Sequence, residues 1–557
     1  MNIRKTALLL LLLVAGVVTA QQKNITLEEI YDGTFRMQYL DRLHSMNNGK
    51  EYAVLNTDRN TGTKTLDVYS YKTGEKVNTL INSSEIEGLD YFIGYTLSAD
   101  ESKALLSTKM RSIYRRSSLG VYYVYDLETK ELVQVAEEAI QEPTFSPDAS
   151  KVAYGLDNNI YIKDLASGTT TQVTTDGAKN KVINGITDWV YEEEFAFVRA
   201  FDWNADGDKI AYIRFDESEV PEFSMDVFGN ELYPSKDTFK YPKAGETNAT
   251  VSLHIYDVTS ADTKAVDLSG FQNYYIPRLE WTPEANVLAV QTTNRKQNDV
   301  NLLFVDGTSG EAKLILSDKD DAYVDITNNL TFLEDNDFIW TSEKDGWNHI
   351  YLYDKDGKLK NQVTQGPWEV TSYYGYDPKS KRVFYQSSEN GSINRGVYSV
   401  KVNGKSKKAL ATEAGTNSAN FSTDFTYFIK SFSDAETPYV FTLNAADDGD
   451  LVRKIKDNQA LKDQFADYVI SEKEFFTLPI NGEELNAYMI KPKDFDPNKK
   501  YPVFMTQYSG PGSQSVANSW SGGNGYWFQM LAQEGYIIVC VDPRGTGLKG
   551  RDFKKMT

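Results

Sequence analysis

One pattern of hydrophobic and polar positions recurs along most of this chain. A hydrophobic residue is followed by a polar turn containing Asp, Asn or Gly, then by an apolar strand that often carries Ala-Tyr. Copies begin at Met46, Leu97, Phe145, Trp203, Trp281, Phe332, Tyr376 and Phe421, with successive starts 51, 48, 58, 78, 51, 44 and 45 residues apart. A second pattern follows several of them, an alternating run into a turn, as in Val121-Tyr122-Tyr123-Val124-Tyr125-Asp126 and again at 160–164, 254–257 and 350–354. Period-two alternation ended by turn residues predicts hairpins. Four short strands fill ~40–50 residues, the size of one propeller blade. The eight copies therefore predict an eight-bladed β-propeller, which closes on itself and leaves no long free edge. A chain of β-sandwiches is the structural rival.

Two intervals are long. The 58-residue one holds Asp188-Trp189-Val190-Tyr191-Glu192-Glu193-Glu194-Phe195, and the 78-residue one holds residues 215–250, with Tyr233-Pro234 and Tyr241-Pro242-Lys243-Ala244-Gly245. Insertions in a rigid repeat array are where binding and assembly surfaces usually sit.

Beyond about residue 467 the rhythm changes. Two alternating strands flank Asn481-Gly482, a hairpin signal. A mostly apolar strand over 501–508 then runs into Ser509-Gly510-Pro511-Gly512, and a helix is expected over 527–534. The continuous apolar run 536–542 reads as a buried strand of the parallel kind. Strand, helix and apolar strand in that order open an α/β sheet. The expected organisation is a signal peptide over 1–20 and an N-terminal segment over 21–45. The propeller is expected over 46–466 and the first part of an α/β domain over 467–557, which the resemblance given below makes a hydrolase domain. A catalytic α/β domain commonly needs ~200–250 residues, so this reading takes the hydrolase domain to be incomplete.

Composition sharpens the picture. Aromatic residues make up 13% of the chain, which suits half-buried pleated surfaces. The net charge of −20 repels phosphate backbones and argues against a nucleic-acid partner. A single cysteine, Cys540, excludes an intrachain disulfide and a Cys-based zinc site. Three scattered histidines (His44, His254, His349) argue against a His-rich metal site. At the start, Arg4-Lys5, a short apolar run and Thr19-Ala20 form a secretory signal pattern, with a run shorter than the ~20 residues that span a bilayer. The expectation is an exported protein, periplasmic or on the surface of a bacterium, with no stable membrane insertion after cleavage.

Three consecutive glutamates between aromatic pairs are unusual. Alone, they read as a solvated acidic turn; two carboxylates converging on one point would instead hold a cation. Arg115-Arg116 reads alone as a surface patch, although a buried arginine there would pin a carbonyl. The strained Gly-x-Ser-x-Gly elbow of a nucleophilic serine does not occur, and no histidine follows His349.

Taken together, 184–194, 241–245 and 501–511 resemble the dipeptidyl peptidase IV branch of the prolyl oligopeptidase family of serine peptidases, with similarity along the whole chain from about residue 25. The resemblance implies a propeller capping an α/β-hydrolase domain, to which the residues before the first blade also belong. It implies release of N-terminal Xaa-Pro or Xaa-Ala dipeptides by acyl transfer through a serine, without a cofactor or metal. Carried over by position, Glu193 and Glu194 would bind the substrate ammonium. Arg115, with Arg116 kept open, would hold the carbonyl between the first two substrate residues, and Tyr508 would donate to the oxyanion. The 78-residue interval matches the family's dimerisation arm and implies a homodimer. The triad serine, aspartate and histidine match no position here, so the 557-residue chain is expected to be inactive and the full-length product active. A non-catalytic peptide-binding propeller and a prolyl tripeptidyl peptidase of the same family stay open as alternatives.

Overall fold

The computed structural model describes residues 22–89, 91–271 and 274–556; the export signal expected over 1–20 lies outside them. The chain is predominantly β, with few and short helices. Eight antiparallel sheets follow one another, over 43–82, 94–134, 141–172, 182–265, 275–319, 331–362, 370–411 and 416–456. Seven have four strands in simple sequence order, and the fourth has five.

Every copy of the first sequence pattern marks the same place, the hairpin between the first and second strands of a sheet, or its counterpart in the five-stranded one. The turn chemistry explains the recurrence. In the second sheet Ser98 Oγ donates to Asp100 Oδ1 at 2.6 Å, and the Ser102 N–H reaches the same oxygen at 3.1 Å. Glu101 between them is left-handed at φ 59°. Ser146, Asp148 and Ala149 repeat this in the third sheet, and Ser422, Asp424 and Phe425 in the eighth. The aspartate replaces backbone acceptors that the tight turn cannot supply. The second pattern falls on the third strands, such as Asn159–Asp164 and His349–Tyr353.

Alternation along each second strand decides how the sheets stack. Ala104 and Leu106 pack against the first sheet, whereas Leu105 between them packs against the third. Leu288 and Val290 face the fourth sheet and Ala289 the sixth. Val383 and Tyr385 face the sixth, and Phe384 the eighth. Each strand residue thus feeds one of two apolar seams, and a fully buried Leu, Val or Phe contributes ~1.5–3 kcal/mol to its seam. The succession returns on itself: Tyr71 of the first sheet is buried with Ile429 and Leu443 of the eighth. Polar links reinforce this last seam. Thr423 Oγ1 donates to the Met46 carbonyl at 2.7 Å and Arg453 Nε to the Tyr71 carbonyl at 3.0 Å.

Both long intervals are insertions into the fourth sheet. The helix Trp189–Glu194 lies between strands Val182–Asn184 and Phe201–Trp203, which both pair with Lys209–Asp216. A separate two-stranded hairpin, Glu222–Val227 with Ser235–Lys240, interrupts the path to strand Thr250–Asp257.

After the eighth sheet a mixed sheet begins. Lys473–Ile480 and Glu483–Ile490 turn at Asn481 (φ 54°) and Gly482 (φ 87°), as the Asn-Gly signal predicts. Ile537–Val541 runs antiparallel to Glu483–Ile490 on one side and parallel to Val503–Thr506 on the other. Two expectations need correction. The strand expected over 501–508 is only Val503–Thr506, and the helix expected over 527–534 is Gly522–Gln533. Glycines 522, 523 and 525 disguise the first turn as a loop; burial of Tyr526 against Phe35 and Phe465 holds it helical. The N-terminal residues pack here too: Lys23 bridges to Tyr468, and Ile25, Phe35 and Met37 share a core with Leu461, Tyr468 and Tyr526.

An ionic joint links this last sheet to the ring of sheets. Arg551 Nε lies 2.5 Å from Asp320, Lys555 Nζ 2.7 Å from the same carboxylate, and Lys554 Nζ 2.5 Å from both Asp325 and Glu343. A cavity of about 830 Å³ opens beside it, lined by Asp320, Glu343, Arg395, Gln514 and Lys554 among others.

Candidate functional site

The acidic run is a six-residue helix. Asp188 caps it, accepting the Tyr191 N–H at 2.9 Å. Tyr191 anchors it from below, at 5.1 Å from Phe195 and 4.8 Å from Phe215, while its hydroxyl accepts the Ile276 N–H at 3.0 Å. Successive helical residues point about 100° apart, so the three glutamates meet different surroundings. Glu192 is buried, Glu193 is half-buried and Glu194 is exposed.

The neighbouring turn brings the arginines in, and the geometry separates them. Arg115 Nη2 pairs with Glu193 Oε1 at 2.9 Å, its side chain 70% exposed. Arg116 instead donates from Nε to the Glu192 carbonyl at 3.2 Å. An exposed pair such as Arg115–Glu193 is worth ~0–1 kcal/mol, so an incoming ammonium can replace it at little cost. Among the described residues Glu194 makes no ion pair.

The ground beneath the helix is acidic. Burial pushes Asp188 up to about 6, and burial together with the Asp188 charge pushes Glu217 up to about 7. Two glutamates above and two poorly solvated acids below make a field that favours a cation. The inserted hairpin steadies the arrangement through aromatic contacts, Trp189 to Tyr241 at 4.3 Å and Tyr114 to Phe239 at 5.8 Å. Its far end carries Phe228, Leu232 and Tyr233, each at least 79% exposed.

Tyr508 stands apart. It follows strand Val503–Thr506, is 68% exposed, and its hydroxyl makes no hydrogen bond among the described residues. No hydrogen bond or ion pair among the described residues joins it to the acidic helix. Ser252 Oγ lies 2.9 Å from His254 Nε2, but that ring is stacked on Tyr212 and burial lowers its pKa. His349 is held by Thr364 and the Gly366 carbonyl. Among the described residues no histidine joins a serine to a carboxylate, and no group of three His, Cys, Asp or Glu is placed to hold a metal. Sequence reasoning missed the burial of Glu192 and the buried Asp188–Glu217 pair. An aspartate directly before an apolar helical run was the available signal for the cap.

Comparison with known proteins gives a consistent result. The family described as the dipeptidyl peptidase IV (DPP IV) N-terminal region matches residues 98–439. Dipeptidyl peptidase 4 of Arthroderma otae is 31% identical over 484 residues, covering 83% of this chain and 62% of that protein. Dipeptidyl peptidase 4 of Trichophyton equinum is 31% identical over 487 residues, with coverages of 83% and 62%. The crystal structure of Porphyromonas gingivalis dipeptidyl peptidase 4 superposes with a TM-score of 0.90 at 41% identity, over 96% of this chain and 76% of that one. The chain thus spans less than two thirds of the length of these curated relatives. It belongs to the dipeptidyl peptidase IV family, within the prolyl oligopeptidase family.

Proposed function

We propose, from this family and from the acidic helix, that the protein is an exported serine exopeptidase releasing N-terminal Xaa-Pro or Xaa-Ala dipeptides, and that this chain carries its substrate-gripping part. The ring of sheets is read as an eight-bladed propeller over 46–466. The mixed sheet, with residues 21–45, is read as the opening of an α/β-hydrolase domain over 467–557.

The observation that carries the reading is the end of the helix where half-buried Glu193, paired among the described residues with Arg115, is followed by exposed Glu194. Two carboxylates there can grip an α-ammonium, and Arg115, once displaced, is free to hold the carbonyl one residue on. The charged grip measures a fixed length from the amino terminus, so cleavage releases dipeptides. Tyr508, exposed and with its hydroxyl uncommitted, is the donor proposed for the oxyanion, a role worth ~2.7–4 kcal/mol in the transition state. The nucleophile, base and third triad member are assigned to no residue here, and the 557-residue chain alone is expected to be inactive. No cofactor or metal is invoked. The exposed end of the hairpin is the proposed homodimer contact, and the periplasm or cell surface of a bacterium the proposed location.

The test uses the protein expressed from its entire gene. Glu193→Ala or Glu194→Ala should lower kcat/KM for glycyl-prolyl-p-nitroanilide by about a hundredfold or more, with melting unchanged. Acetylating the substrate's amino terminus should do the same. Unchanged kcat/KM in either glutamate variant sinks the assignment.

A further inference from the structure

Glu192 takes no part in the proposed grip, yet it is the most deeply placed of the three glutamates, at 2% exposure. Its Oε1 accepts two backbone N–H groups of the arginine turn, from Arg116 at 2.6 Å and from Ser117 at 2.9 Å. Arg116 Nε returns a bond to the Glu192 carbonyl at 3.2 Å. The turn itself is closed by the Ile113 N–H on the Ser117 carbonyl at 2.9 Å and the Tyr114 N–H on Ser117 Oγ at 3.2 Å. Arg115 sits on this turn and projects its guanidinium to Glu193.

Helix and turn come from different sheets, 76 residues apart in sequence at their closest bond. The Arg115 side chain is largely exposed, so its pairing with Glu193 cannot fix where the turn stands. An acceptor oxygen shielded from water and bonded to two main-chain donors can, because such bonds are costly to leave unmade. We infer, resting on the dipeptidyl peptidase reading above, that Glu192 is a positioning residue: it docks the 113–117 turn on the helix so that Arg115 meets the substrate carbonyl while Glu193 and Glu194 hold the ammonium. The consecutive glutamates therefore divide their labour, the first gripping the protein and the next two the peptide.

The experiment is a double-mutant cycle in the protein expressed from its entire gene, with glycyl-prolyl-p-nitroanilide as substrate. Glu192→Ala should raise KM about tenfold or more with a smaller fall in kcat, and the same change in an Arg115→Ala background should alter KM by less than about twofold. Glu192→Gln, which keeps an oxygen acceptor, should recover most of the loss. Should Glu192→Ala fail to fold, Glu192→Asp takes its place, withdrawing the acceptor by one methylene. Equal losses in both backgrounds, a loss confined to kcat, or a Gln variant no better than Ala would overturn the positioning role. If Arg115→Ala and Glu193→Ala lower kcat/KM while the Glu192 variants match the parent, only this inference fails. If Arg115→Ala and Glu193→Ala leave kcat/KM unchanged, the exopeptidase reading itself falls, and this inference with it.

Discussion

Replacing Gly49 by alanine tests whether the eight sheets close on themselves. Gly49 lies in the first hairpin of the first sheet at φ +66°, and an added Cβ would overlap the carboxylate of Asp424, in the equivalent hairpin of the eighth. Gly62 in the same first sheet is a matched control: its φ is +75°, and nothing lies within 4 Å of its added Cβ. Both substitutions carry left-handed backbone strain, ~1–2 kcal/mol for a residue with a Cβ. Only Gly49→Ala must also displace Asp424, which accepts from Ser422 Oγ at 2.9 Å, the Thr426 N–H at 3.0 Å and Thr426 Oγ1 at 2.7 Å. Asp424 is half-buried, so water replaces part of what is lost and the added cost is ~1–2 kcal/mol. The expectation is thus ~2–4 kcal/mol for Gly49→Ala against ~1–2 kcal/mol for Gly62→Ala.

For a cooperative unit of this length 1 kcal/mol moves a melting point by only about 1 °C, so a local probe is preferable. Hydrogen exchange read by mass spectrometry should quicken over both 43–57 and 416–433 in Gly49→Ala, and over neither as strongly in Gly62→Ala. Adding Asp424→Ala should cancel most of the difference between the two glycine variants. Faster exchange confined to the first sheet, or no suppression by Asp424→Ala, would refute the closure argument.

Two further outcomes follow from particular side chains. Burial pushes the Asp188 carboxyl up to about 6, so its contribution to stability is full below pH ~4 and declines as the pH rises towards 6. Asp188→Asn keeps the cap acceptor and never ionises. Its stability relative to the parent, from guanidinium titrations, should therefore rise by up to ~3 kcal/mol between pH 4 and 7; a flat difference contradicts the assignment. Leu232→Asp with Tyr233→Asp places charge on side chains that are 89% and 79% exposed, and should convert a dimer to monomers in sedimentation velocity. A parent protein that already sediments as a monomer would remove the hairpin from any assembly role.

The repeat was legible because its turns are chemically demanding. A left-handed residue beside an Asp or Asn that accepts a backbone N–H of its own turn marks this strand junction in the first, second, third and eighth sheets. The two long intervals were legible as excess length, but not as insertions into one sheet, since nothing local distinguishes a strand paired with its neighbour from one paired 30 residues on. The glutamates stood out by residue type; their different burial and partners did not, because identical residues one position apart differ only in helical phase. Arg115 and Arg116 were inseparable for a similar reason: which of two adjacent side chains faces a partner depends on how the 113–117 turn closes and where it sits against Glu192. The first turn of the Gly522–Gln533 helix was masked by its glycines, whose weak propensity is overridden by contacts with residues 35 and 465.

The two kinds of fastening in this molecule respond to different solvents. Oil-like staves hold the sheets together, whereas the 550–555 segment is moored to them largely by ammonium and guanidinium groups on carboxylates. Burial alone would raise the Asp320 carboxyl, but the Arg551 and Lys555 bonds outweigh it and hold the group well below the usual carboxylate range. The Asp320 carboxylate gives up its bonds only in strong acid, whereas the apolar contacts between sheets carry no charge and yield to heat or denaturant. Acidification should therefore loosen the 550–555 segment more than it loosens the apolar seams between sheets.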